Sequence, residues 1–147
     1  MNRSTSPISD HAIVLVSRAL TNLGLTLSHQ AQVLGLSPRV LQLALGGTVS
    51  VQLSSAQAQR LRLVSEIVLA LGILYSEDSA VGWLGRPNGR QPFDGQTPLH
   101  FILGGGLPAL VATHRLLAGD LSGQFSATPE ARALAGRLPQ PEIELDE

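Results

Sequence analysis

The chain has 147 residues and neither cysteine nor lysine. Without cysteine there are no disulfides, no thiolate nucleophile and no thiolate metal site. All ten basic residues are arginine. Aromatics are scarce at 3%, so a core must be built from Leu, Val, Ala and Ile. Charge is also sparse at 14%, against 44% hydrophobic residues. A surface this poor in charge is expected to hide part of itself against a partner or a second copy. No apolar run reads as a signal peptide or a membrane span, and the expected location is cytoplasmic.

The charges that exist are unevenly placed. Residues 1–62 carry Arg3, Arg18, Arg39, Arg60 and Arg62 against Asp10 alone, a net charge of +4. Residues 63–147 carry five arginines against ten acids, a net charge of −5. All five aromatics (Tyr75, Trp83, Phe93, Phe101, Phe125) lie in the second part. A basic front and an acidic, aromatic back are expected to meet different partners.

Helix signals dominate. Ser9 or Asp10 is placed to cap a helix to about Leu23, with Ile13, Val16, Leu20 and Leu23 on one face. Ser28 is expected to cap a short helix from His29 to Leu34, and Gly35-Leu36 to turn the chain. Ser37-Pro38 starts the next helix with a preferred N-cap and Pro at the first position. Gly46-Gly47 ends it, and an extended link follows. Ser54 or Ser55 opens a long helix to about Tyr75, with an inner stripe of Ala58, Leu61, Val64, Val68 and Leu71. Ser76 caps another from Glu77 to Leu84. Thr97-Pro98 begins a short helix ending at Gly104-Gly105-Gly106. Pro108 opens one more, stopped by Gly119, and Thr128-Pro129-Glu130 a last one. The expected fold is all-α. Residues 1–53 are expected to form a helix-turn-helix unit, 54–123 a second helical unit, and 124–147 an arm with an acidic end.

The segment "LTLSHQAQVLGLSPRVLQLALGG" has the pattern of a helix-turn-helix. Ala31 permits close packing of the first helix, Gly35 the tight turn, and Leu36 and Leu41 fix the crossing. The second helix would present Ser37, Arg39, Gln42 and Leu43 to the major groove. Arginine can pair with guanine through two hydrogen bonds, and glutamine with adenine. Arg18, Arg60 and Arg62 are candidate phosphate contacts. The same pattern also suits two ordinary capped helices, and the recognition helix offers only Arg39 and Gln42 as polar readers. The "AIVLV" run in the first helix is either core or a dimer surface.

In the back half, Ala80, Trp83-Leu84, Pro87-Asn88, Gly95, Thr97-Pro98-Leu99 and Leu116 to Gly119 form a specific string. It resembles the toxin-binding domain of the Xre/MbcA/ParS antitoxins, partners of RES-domain toxins. With the helix-turn-helix pattern, the resemblance covers about residues 25–120. It implies an antitoxin of a type II toxin–antitoxin system. Such an antitoxin would close the active site of a toxin that consumes NAD or transfers ADP-ribose, and would repress its own operon. Toxin contacts are then expected among Trp83, Arg86, Pro87, Asn88, Arg90, Gly95, Thr97 and Pro98, with Arg132 in the arm. The sequence departs from the family in a longer loop between Asn88 and Gly95. It also has Leu43-Ala44 where relatives often carry Arg, and "HRLLAG" where they often carry a charge.

Physical chemistry leaves two roles open for Trp83, a binding anchor or a packed core residue. The arm is either a segment that reaches into the toxin or a solvated tail. His11, His29, His100 and His114 have no metal spacing, and no paired carboxylates sit in an apolar setting. Gly104-Gly105-Gly106 follows a helix, not a strand, and is poor as a phosphate loop. The chain is expected to be no enzyme, with no cofactor and no metal. A homodimer is expected, because two-fold pairing suits palindromic DNA. The alternatives are a stand-alone transcriptional regulator and an interaction module that does not bind DNA.

Overall fold

The computed structural model describes residues 7–47 and 50–126. Among them the chain is all helical, with six α-helices and one short 3-10 turn. The expected helix at Thr128, Arg132 and the acidic end lie outside the described residues.

Helix α1 spans Pro7–Asn22 and buries Ile13, Val16 and Leu20. It starts before the expected caps, so Asp10 lies inside its first turn. The Asp10 carboxylate instead accepts from the Ser50 hydroxyl at 2.8 Å and the Val51 N–H at 3.1 Å. That pins the link after α3 against α1, and Val51 and Leu53 fold into the core.

Helices α2 (Leu27–Leu34) and α3 (Pro38–Gly46) are joined by a tight turn. The cap of α2 is Thr26 and not Ser28: the Thr26 hydroxyl accepts from His29 N–H. Gly35 ends α2 in the left-handed region, at φ 72°. Ser37 caps α3, and its hydroxyl accepts from Val40 N–H. Ala31 and Leu41 are fully buried. One polar network ties α1 to α2. Buried Gln30 accepts from Ser17 through its carbonyl and donates to Thr21 and the Leu25 carbonyl.

Helix α4 (Ser55–Leu74) is the central strut. Ser54 and Gln57 form a reciprocal capping box at its start. It packs against α1, α2 and α6. Its buried stripe is Leu61, Leu63, Val64, Ile67, Ala70 and Leu71. This differs from the expected stripe: Ala58 is exposed and Val68 half-buried. Packing on several sides draws in Leu63, Ile67 and Ala70, which a single-face pattern omits.

Ser76 caps the short α5 (Glu77–Val81), and the 3-10 turn Trp83–Gly85 follows. Helix α6 (Pro98–Ser126) is two helical stretches joined across a kink, which agrees with the expected end at Gly104-Gly105-Gly106 and restart at Pro108; it differs from expectation only beyond Gly119. It breaks at Gly106, at φ 65° and ψ −144°, a conformation suited to glycine. It then runs through Gly119 without stopping. Over Pro98–Gly123 it is long and apolar enough to cross a membrane by length and composition only, and the break at Gly106 divides that stretch. Its Ile102, Leu110 and Leu117 are buried, and α4 is its main packing partner. A single hydrophobic cluster runs through front and back halves alike.

Candidate functional site

Two exposed regions carry the residues singled out from the sequence. The first is the outer face of α3. Arg39, Gln42 and Leu43 are exposed there, Leu43 at 37%. Ser37 is exposed as well, with its hydroxyl engaged as the cap. Leu41 and Ala44 face inward, so the helix presents a thin polar edge beside an exposed leucine.

Arg60 is placed differently from these four. It lies on α4, half-buried, and donates to the Val33 carbonyl at 3.3 Å. Its side chain packs so closely on Gly35 that a Cβ there would meet it at 2.9 Å. Gln57, one turn earlier, donates to the Gly35 carbonyl at 3.0 Å. The first turns of α4 therefore clasp the α2–α3 turn. Arg60 also reaches Gly106, the break in α6. Arg62 is exposed and pairs with Glu66 at 3.4 Å.

The second region is the segment from Trp83 to Pro98. Its interior is an aromatic ladder. Tyr75 and Trp83 have centroids 6.3 Å apart, Trp83 and Phe93 5.7 Å, and Phe93 and Phe101 5.4 Å. The last two pairs meet edge to face, a favourable ring geometry. The ladder joins the end of α4, the 3-10 turn, the loop and the start of α6. Trp83 is buried, and Phe93 is fully buried. Phe93 lies inside the loop expected to offer exposed contacts, so that loop is anchored from within. Pro98 is buried too.

Outside the ladder the loop closes on itself. Asn88 N–H donates to the Gln96 carbonyl at 3.0 Å, and Gly95 N–H to the Asn88 carbonyl at 2.7 Å. The Asn88 side chain accepts from Arg90 N–H at 2.9 Å. Gly95 has φ 95°, and Asp94 before it φ 51°. The Thr97 hydroxyl caps α6 by accepting from His100 N–H. Arg86 folds back and donates to the Ser79 carbonyl at 2.6 Å. Pro87, Gly89, Arg90, Gln91 and Gln96 remain exposed.

Arg90 makes the strongest polar contact of the loop. It donates twice to the Asp120 carboxylate, at 2.8 and 2.9 Å. Those hydrogen bonds hold Asp120 below the ordinary carboxylate pKa and raise Arg90 above its own. The loop is thus strapped to the second half of α6. Nothing in the sequence marks Asp120 as a partner, because it follows Gly119, where the pattern predicts the end of the helix. His114 on α6 meets Glu66 on α4 at 2.6 Å. Among the described residues no three His, Asp or Glu side chains cluster to hold a metal ion. Arg132 lies outside the described residues.

No family model matches the chain, and no curated protein and no solved structure is found similar to it. The resemblance to antitoxins therefore stands on the residue string itself.

Proposed function

We propose that the chain is an antitoxin of a type II system that holds a RES-domain toxin inactive and represses its own operon. The observation that carries this reading is the loop from Arg86 to Thr97. It is closed by Asn88, strapped by Arg90 to Asp120 and anchored by Phe93, yet its outer residues are exposed. A loop already ordered before binding loses little entropy on docking. Trp83 and Pro98 serve as platform in this reading. Pro87, Asn88, Arg90 and Gly95 form the contact rim, and Thr97 fixes the helix start beneath it. Arg86 supports the rim through Ser79.

Operator binding would fall to Arg39 and Gln42 on the outer face of α3, with Ser37 and Leu43 beside them. A second reading, an interaction module that does not bind DNA, is favoured by the exposed Leu43 and by Arg60 being engaged with Val33. Homodimerisation and a cytoplasmic location belong to the first reading.

The test is co-expression with a RES-domain toxin. Rescue from growth arrest and a co-purifying complex are expected; arrest with no complex overturns the antitoxin reading. Operator binding has its own assay, a gel shift on the upstream region. Salt-sensitive binding weakened by Arg39→Ala and Gln42→Ala supports it, and no wild-type shift selects the second reading.

A further inference from the structure

Arg60 stands where the ends of two helices meet. Its guanidinium donates to the Val33 carbonyl, in the last turn of α2. Its stem lies over Gly35, which ends that helix. On the other side its Nη2 borders Gly106, where a Cβ would lie 3.5 Å from it. Gly106 closes the first stretch of α6, residues 98–105. The last carbonyls of a helix lack partners within it and carry partial negative charge. A planar, permanently charged guanidinium suits the junction of two such ends.

The Trp83 to Pro98 loop is tied to α6 on both sides of the break. Through Thr97, whose hydroxyl caps α6, it runs directly into the first stretch. Through Arg90 it is strapped to Asp120 on the second stretch. A strap that spans a break sets the angle between the two halves. At Gly106 the backbone leaves helical geometry, so a continuous helix does not hold that angle.

We propose that Arg60 links the two exposed regions: the angle of α6 at Gly106, set by the Arg90–Asp120 strap, is passed through Arg60 to the α2–α3 turn. Two states differ in their contacts. In the strapped state Arg60 is seated between Gly106 and Gly35. In the released state the first stretch of α6 shifts, and Arg60 loses that seat. An occupant that draws Arg90 away from Asp120 would then loosen the turn that carries α3. Such coupling is reciprocal, so a change at the turn is felt in the loop. The path is short, because Arg60 touches both ends and α2 packs on α6. The link operates whatever either region binds, and so stands apart from the antitoxin reading.

Amide hydrogen exchange on the full chain tests the link. Gly35 and Leu36 N–H, bonded to the Gln32 and Ala31 carbonyls, report on the turn. Val51 N–H, held by Asp10, is the reference within the front half. Asp120→Asn is expected to speed exchange at Gly35 and Leu36 by roughly threefold or more relative to Val51. In an Arg60→Met background Asp120→Asn is expected to leave that ratio unchanged. Arg60→Met alone is expected to speed exchange relative to Val51 at Asn88 and Gly95, whose N–H groups close the loop. If circular dichroism shows that Arg60→Met does not fold, Arg60→Lys replaces it, a point charge without the fork that bridges both ends. An unchanged turn in Asp120→Asn overturns the proposal, as does equal acceleration at the turn and at Val51. So do the same acceleration in the Arg60 variant background, and loop amides that the Arg60 variant leaves unchanged.

Discussion

Phe93 stands edge-on to Trp83, with planes at 84° and centroids 5.7 Å apart, and has no exposed surface. A residue flanked by proline, aspartate and glycine in a surface loop is therefore the plug of the back half. Phe93→Ala would empty that space and is expected to cost about 3–5 kcal/mol in urea unfolding. Phe93→Leu, which keeps most of the volume, should cost clearly less. Equal small losses for both would mean that the loop is not anchored by this ring.

The strap between Arg90 and Asp120 predicts a pH signature. Asp120 has its pKa lowered in the folded state, chiefly by the hydrogen bonds from Arg90. Its contribution is present well above the ordinary value of 3.8 and is lost as pH falls through the lower, folded value. Both side chains are partly solvated, at 50% and 25% exposure, so the pair should contribute no more than about 1 kcal/mol. Asp120→Asn is expected to lower stability by up to that amount at neutral pH. The gap to wild type should close below the ordinary carboxylate range. A gap that stays constant down to strong acid would assign the effect to packing.

The helices of the front half were legible because their ends carry local signals. Ser37 with Pro38, Gly35 and Ser54 each determine a boundary through their own backbone preferences. The sequence does not distinguish the cap at Thr26, because Ser28 offers the same chemistry two residues later. Apolar spacing along one face does not reveal that α4 packs on α1, α2 and α6 at once, so Ile67 and Ala70 fall outside the expected stripe. In α6 the run Gly104-Gly105-Gly106 marks a real break, at Gly106 with φ 65°, whereas Gly119 has no positive φ and the helix runs on through it. Most of the Trp83 to Pro98 string was visible, but its two fasteners were not. Phe93 looked like part of a turn, and Asp120 lies 30 residues from Arg90 in sequence.

Gln30 gives a prediction about polar burial. It is fully buried and bonds Ser17, Thr21 and the Leu25 carbonyl. Gln30→Leu keeps similar bulk but leaves Ser17 and the Leu25 carbonyl without this partner. A loss of about 1–3 kcal/mol in thermal or urea unfolding is expected. Ser17→Ala in the Gln30→Leu background should then cost little further, since its partner is already gone. Fully additive losses would show that the two side chains act independently.

Gly35 and Arg60 should be coupled, and the coupling separates two costs. Gly35→Ala meets backbone strain at φ 72° and also a clash, because its Cβ would lie 2.9 Å from the Arg60 side chain. The strain alone is worth roughly 1–2 kcal/mol. Arg60→Ala removes the clash but not the strain, and it also loses the bond to Val33. In the Arg60→Ala background, Gly35→Ala is therefore expected to cost less than in wild type, by about 0.5–1 kcal/mol, read from a double-mutant cycle in urea. The strain should persist in both backgrounds. A cycle with no coupling would mean that Arg60 swings clear of the turn at no cost, and the clasp of α4 on the α2–α3 turn would then rest on Gln57 alone.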